Sequence, residues 1–74
     1  MDNKDIILIA DALRGTKPTQ LNGEDTPREW GKNFQWNHTV NRITVDLAAK
    51  YPSFNFEAWK AYLESDGKVE PQII

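Results

Sequence analysis

The sequence predicts an all-α fold, a small three-helix bundle with a long central helix. Apolar residues recur at helical spacing in three segments, proline and glycine separate these segments, and no run of residues alternates as a strand would. With 74 residues, of which 39% are apolar, the chain has room for one core. We expect a single domain over residues 1–67 and a flexible tail over 68–74, or a tail whose Ile73 and Ile74 dock into a groove.

The first helix is predicted from Lys4 to Arg14. Asp2 or Asn3 can cap it, because a short side-chain oxygen accepts from the unpaired amides of the first turn. A glycine can end a helix in the left-handed conformation, and Gly15 is expected to do so. One helical face is defined by apolar residues at positions i, i+3, i+4 and i+7, namely Ile6, Ile9, Ala10 and Leu13.

The central helix is predicted to begin at a capping box. Thr26 fits the N-cap, Pro27 fits the first helical position, and Glu29 can reach back to the cap amide. The helix should continue to Lys50 and stop before Pro52. Glycine weakens a helix interior, so the glycine in its first turns leaves open a break near residues 32–33.

Two apolar stripes run along this central helix. The first contains Trp36, Val40, Ile43 and Leu47, with Tyr51 beside it. The second, rotated by a quarter to half a turn, contains Trp30, Phe34, Val45 and Ala48. Two stripes predict that a helix packs on each side of the central one. The alternative is that the second stripe stays exposed as an anchor for a protein partner. The candidate partner-binding residues are then Arg28, Trp30, Lys32 and Phe34.

The third helix is predicted to begin after Asn55, which is a good N-cap. Phe54 precedes the cap and Trp59 takes the fourth helical position, which is the spacing of a hydrophobic staple. We expect Gly67 to end the helix.

The sequence contains no residue pattern that predicts catalysis. It has no cysteine, so thiolate zinc sites are excluded, and its four glycines are too scattered to form a phosphate loop. The one histidine, His38, has no carboxylate on its helical face, and neither Ser53 nor Ser65 lies in a nucleophile motif. We therefore expect a non-enzyme without metal or cofactor.

The net charge and the composition limit which kinds of partner and which cellular compartment we expect. A net charge of −2 argues against strong attraction to nucleic acid or lipid, and the longest apolar run, residues 6–10, is far below the ~20 residues of a membrane span. We expect a cytoplasmic protein. Two alternatives stay open, a homo-oligomeric structural module and a nucleic-acid-binding regulator. The second would use the polar flank of the central helix, Lys32, Gln35, His38, Thr39 and Arg42.

The spacing of these residues resembles a family of small, uncharacterised phage-encoded accessory proteins. The pattern includes Ile9-Ala10 before Leu13, Trp36 in the middle helix, and a proline-containing entry into the last helix. The chain departs from the family at Tyr51, where Asn is usual, and at Asn55, where Asp is usual. The resemblance implies binding to a host protein complex in the host cytoplasm, as in RNA polymerase inhibitors or anti-CRISPR proteins. It transfers no functional residue.

Overall fold

The structure, a computed structural model, describes residues 2–18 and 27–74, with the side chains of residues 27–30 left aside. Three helices follow one another along the chain: α1 (Asn3–Gly15), α2 (Pro27–Lys50) and α3 (Phe56–Glu64). Within the described ranges no residue belongs to a strand. The prediction of an all-α three-helix fold with a long central helix is confirmed.

Helix α1 begins at a reciprocal cap. The backbone N–H of Asp5 donates to Asp2 Oδ1 at 3.2 Å, and the N–H of Asp2 donates to Asp5 Oδ2 at 3.1 Å. At the other end, the prediction of a left-handed Gly15 is wrong, because Gly15 is the last helical residue and Thr16 is the C-cap with φ of −102°. The Thr16 hydroxyl donates to the carbonyls of the last turn, so no left-handed residue is needed there.

Helix α2 runs without interruption for 24 residues, which corresponds to about 36 Å. The break considered near residues 32–33 does not occur. Thr26, the predicted N-cap, lies outside the described residues. The helix ends at Lys50, two residues before Pro52, as predicted.

Helix α3 has the predicted start and a different end. Asn55 caps it by accepting from the Ala58 N–H at 3.1 Å, and the rings of Phe54 and Trp59 lie 5.9 Å apart. The helix ends at Glu64, so the prediction that Gly67 ends it is wrong. Gly67 instead forms the following turn with φ of +77°, where the Arg14 guanidinium occupies the space that a side chain would need.

The core lies mainly between α1 and α3. From α2 come the side chains of Leu47 and Thr44, and the C-terminal segment adds Ile73, which is fully buried. Trp59 is the largest fully buried side chain of the core. The remaining core residues are Ile6, Ile7, Ala10, Leu13, Tyr62 and Leu63.

A single asparagine on α1 fastens the C-terminus of the chain. Asn3 Oδ1 accepts from the backbone N–H groups of Ile73 at 2.7 Å and Ile74 at 3.2 Å. Its Nδ2 donates to the carbonyl of Pro71 at 2.9 Å. Because both the oxygen and the NH₂ group of the Asn3 amide form hydrogen bonds, residues 71–74 are held against the start of α1.

The packing of Ile73 corrects the prediction of a tail. The sequence predicts a flexible tail over residues 68–74, with docking of the terminal isoleucines as the alternative. The structure has the alternative: Ile73 is buried among the helices, and its carbonyl accepts from the Asn55 N–H at 2.7 Å. The docked segment adds apolar area to the core of a chain that is too short to form a large one.

Two indole N–H groups join α2 to the rest of the fold. Trp36 Nε1 donates to the carbonyl of Leu13 at 2.8 Å, and Trp59 Nε1 donates to Thr44 Oγ1 at 2.8 Å. The Thr44 hydroxyl donates in turn to the Val40 carbonyl at 2.7 Å. These bonds attach one face of α2 to α1 and to α3.

Candidate interaction surface

The face of α2 that points away from the core is the strongest candidate for a functional surface. At about 100° per residue, the core-facing side chains cluster around one direction. A second set points in the opposite direction, and its two large apolar members are Phe34, 73% exposed, and Val45, 66% exposed. We call this set the outer stripe. It consists of Gly31, Phe34, His38, Asn41, Val45 and Ala48, all exposed.

The prediction that helices pack on both apolar stripes of α2 is therefore wrong. The first stripe packs against the core, with Leu47 buried and Val40 and Ile43 partly buried. The second stripe is exposed at Phe34 and Val45. The physical reason is that α1, α3 and the C-terminal segment close one core together, on one side of α2.

Two rings stack on the outer stripe. The Phe34 and His38 rings are 6.3 Å apart with planes only 5° from parallel, one helical turn apart. Beyond them, a shallow depression of about 290 Å³ is lined by His38, Asn41, Arg42, Val45 and Asp46. The stripe thus offers an aromatic end, a polar middle and an aliphatic end.

The predicted partner-binding residues are divided by the structure. Lys32 and Phe34 are both exposed, but two positions along a helix differ by about 200°, so they lie on opposite flanks. Lys32 borders a depression with Pro18, Thr16 and Trp36 instead. The side chains of Arg28 and Trp30 lie outside the described residues.

The five residues of the predicted nucleic-acid-binding flank are all exposed and lie on one side of α2: Lys32, Gln35, His38, Thr39 and Arg42. Asp46 shares a depression with Arg42, one turn further along. This carboxylate reduces the positive field that a phosphate would meet near Arg42.

A groove between α2 and α3 was not predicted from the sequence. It encloses about 330 Å³, and its lining includes the two indoles of Trp36 and Trp59. Along α2 it is bordered by asparagines at i, i+4 and i+8: Asn33, Asn37 and Asn41. That spacing was visible in the sequence, but the side chains that face it across the groove depend on how α3 packs.

One polar network joins α1 to the end of α3. The Tyr62 hydroxyl donates to Asp11 Oδ1 at 2.7 Å, Arg14 Nη1 lies 2.9 Å from the same oxygen, and the guanidinium stands 5.2 Å from the Tyr62 ring centre. Arg14 Nε also donates to the Ser65 carbonyl at 3.1 Å. The hydrogen bond to Asp11, together with burial of the phenol, raises the pKa of Tyr62 above its usual value. Every member bonds within the fold, so we assign the network a structural role.

Searches of the described residues find no cluster of three or more His, Cys, Asp or Glu side chains arranged to hold a metal ion. Among the described helices, none is both long and apolar enough to cross a bilayer. Comparisons with protein-family models, with curated protein sequences and with solved structures find no match.

Proposed function

We propose that this chain is a non-catalytic phage accessory protein that binds a host protein complex in the host cytoplasm. The observation that carries the proposal is the outer stripe of α2, where the Phe34 side chain is 73% exposed. An exposed aromatic on a rigid element, bordered by polar side chains, is typical of a binding hot spot. The resemblance to phage proteins supplies the class of partner, such as an RNA polymerase or a defence complex.

Anchoring of α2 supports the proposal, because a preformed surface loses little entropy on binding. The hydrogen bonds from Trp36 to α1 and from Trp59 to Thr44 fix the helix on its inner side. Removal of Phe34 should therefore weaken binding without disturbing the fold.

Affinity capture from bacterial host lysate tests the proposal. Tagged wild type should retain a stoichiometric partner, and Phe34→Ala should lose it while its circular dichroism and melting temperature stay unchanged. Leu8→Ala is the matched control, because Leu8 is a large apolar side chain, 66% exposed, on α1. Equal recovery by the wild type and Phe34→Ala, or no stoichiometric partner at all, would overturn the proposal.

Duplex DNA binding is a second candidate, supported by the exposure of all five predicted residues along one flank of α2. Binding of this kind should weaken steeply as salt rises and should be reduced by Arg42→Ala. Asp46→Asn is the complementary variant. It removes the carboxylate next to Arg42 and should therefore strengthen the contact of Arg42 with phosphate. A flat salt response would eliminate this candidate.

A further inference from the structure

The outer stripe of one α2 is complementary to the outer stripe of a second α2 that runs antiparallel to it. We propose that a second copy of this chain occupies the stripe, and that two α2 helices pair antiparallel about a two-fold axis between residues 39 and 40. The inference deepens the proposed function and rests on it only in using the same surface. Binding of a host protein then competes with self-association.

The spacing of the stripe carries the argument. Its members recur at alternating intervals of three and four residues, from Gly31 to Ala48, which is the repeat along which two helices pack side by side. Over that range the stripe is about 26 Å long. Its two large apolar members, Phe34 and Val45, do not line the groove between α2 and α3, whereas Asn41 borders both that groove and the stripe.

The antiparallel register pairs large side chains with smaller ones. Phe34 lies against Val45 of the second copy, and the two-fold axis repeats this contact, so both large exposed apolar side chains of the stripe are covered in each chain. Gly31 lies against Ala48 of the second copy. Among the described residues, a Cβ added at Gly31 meets nothing within 4 Å, which leaves room for close approach.

Polar and charged groups fit the same register. His38 lies against Asn41 of the second copy, a pair that can exchange a hydrogen bond and fix the register. No charged side chain belongs to the stripe, and on its border Arg42 comes near Gln35 of the second copy. Arg42 also has Asp46 on its own helix, in the same depression, so its charge has an opposite charge nearby. A copy can therefore bury the stripe without burying an unpaired charge.

The first test measures mass in solution over a wide range of concentration. Wild type should shift from the mass of one chain to that of two as concentration rises. Phe34→Ala combined with Val45→Ala should stay monomeric at the highest concentration, with unchanged circular dichroism. Leu8→Ala should dimerise as the wild type does. A wild type that is monomeric throughout, or a dimer that the double variant leaves intact, overturns the inference.

The second test determines the direction of the helices. The chain has no cysteine, so engineered cysteines have no competitor. Gly31→Cys and Ala48→Cys proteins, mixed and mildly oxidised, should form the mixed disulfide in large excess over either symmetric one. Symmetric Gly31→Cys dimers in excess would mean parallel helices and would overturn the antiparallel pairing. A monomeric protein that still captures a host partner through Phe34 overturns this inference alone, whereas a dimer that captures none overturns only the proposed function.

Discussion

Large apolar side chains occur on both faces of α2, but their environments are opposite. On the inner face, Leu47 is buried and Thr44 hydrogen-bonds to an indole of α3. On the outer face, Val45 and Phe34 are mostly exposed and no other part of the described fold covers them. The comparison teaches that helical periodicity identifies an apolar stripe, whereas the number and placement of other elements decide whether that stripe is buried.

The largest difference between the faces should come from shortening one aliphatic side chain on each. Leu47→Ala removes a buried side chain and leaves a cavity, so we expect a loss of about 2–5 kcal/mol in the free energy of unfolding. Val45→Ala should change it by less than about 0.5 kcal/mol, because the exposed valine gains little from packing. Urea denaturation followed by circular dichroism measures both. Equal losses would mean that the outer face is packed as well.

A threonine on each face provides the second comparison. Thr44→Val removes the hydroxyl that accepts from the Trp59 indole N–H, and a buried donor without a partner costs about 1–3 kcal/mol. Thr39→Val is the matched control, because its exposed hydroxyl also donates to a carbonyl four residues back, that of Gln35 at 2.9 Å. We expect a loss below about 0.5 kcal/mol there. Similar losses at the two sites would contradict the role given to the indole bond.

The third prediction concerns the dependence of stability on high pH. The pKa of Tyr62 is raised in the folded protein, chiefly by its hydrogen bond to Asp11, so the folded state holds the proton more tightly than the unfolded state. The contribution of the Tyr62 hydroxyl to the free energy of unfolding is fully present below the unfolded-state pKa of about 10. This contribution is lost as pH rises through the higher pKa of the folded state.

Unfolding of the wild type and Tyr62→Phe between pH 8 and pH 11 tests this linkage. The stability difference between the two proteins should shrink as pH rises above 10. Tyr51→Phe, which removes the other tyrosine hydroxyl, is the control, and its stability should differ from that of the wild type by a constant amount over this pH range. A constant difference between wild type and Tyr62→Phe across this range would show that the Asp11 bond is unimportant.

Local signals in the sequence were sufficient for most of the helical framework. Asp2 and Asn55 cap their helices as predicted, and the ring contact of Phe54 with Trp59 was visible from spacing alone. These features depend on residues within one turn of each other. Helix α1 ends one residue after the predicted Arg14, and α3 ends before Gly67, because the Thr16 hydroxyl and the Ser65 N–H bond to the last-turn carbonyls and no left-handed glycine is needed there.

Long-range packing explains what could not be predicted. Asn3 holds the C-terminus through bonds that span about the whole chain, and no periodicity reveals such a contact. Docking of Ile73 completes a core that lies on one side of α2, and Phe34 and Val45 of the outer stripe are therefore exposed. Lys32 and Phe34, which were predicted to bind one partner together, lie on opposite flanks of α2 by helical geometry alone.

The smallest effect, and the only gain in stability, is expected on the outer face at Gly31. Gly31→Ala should raise the free energy of unfolding by about 0.5–1 kcal/mol, because alanine is the better helix former and its Cβ meets no atom of the described residues within 4 Å. Gly67→Ala is the control with opposite sign, since its φ of +77° strains an L-residue and the Arg14 guanidinium fills the space. A loss at Gly31 under dilute, monomeric conditions would mean that something covers this part of α2 within a single chain, and the outer stripe would then be shorter than proposed.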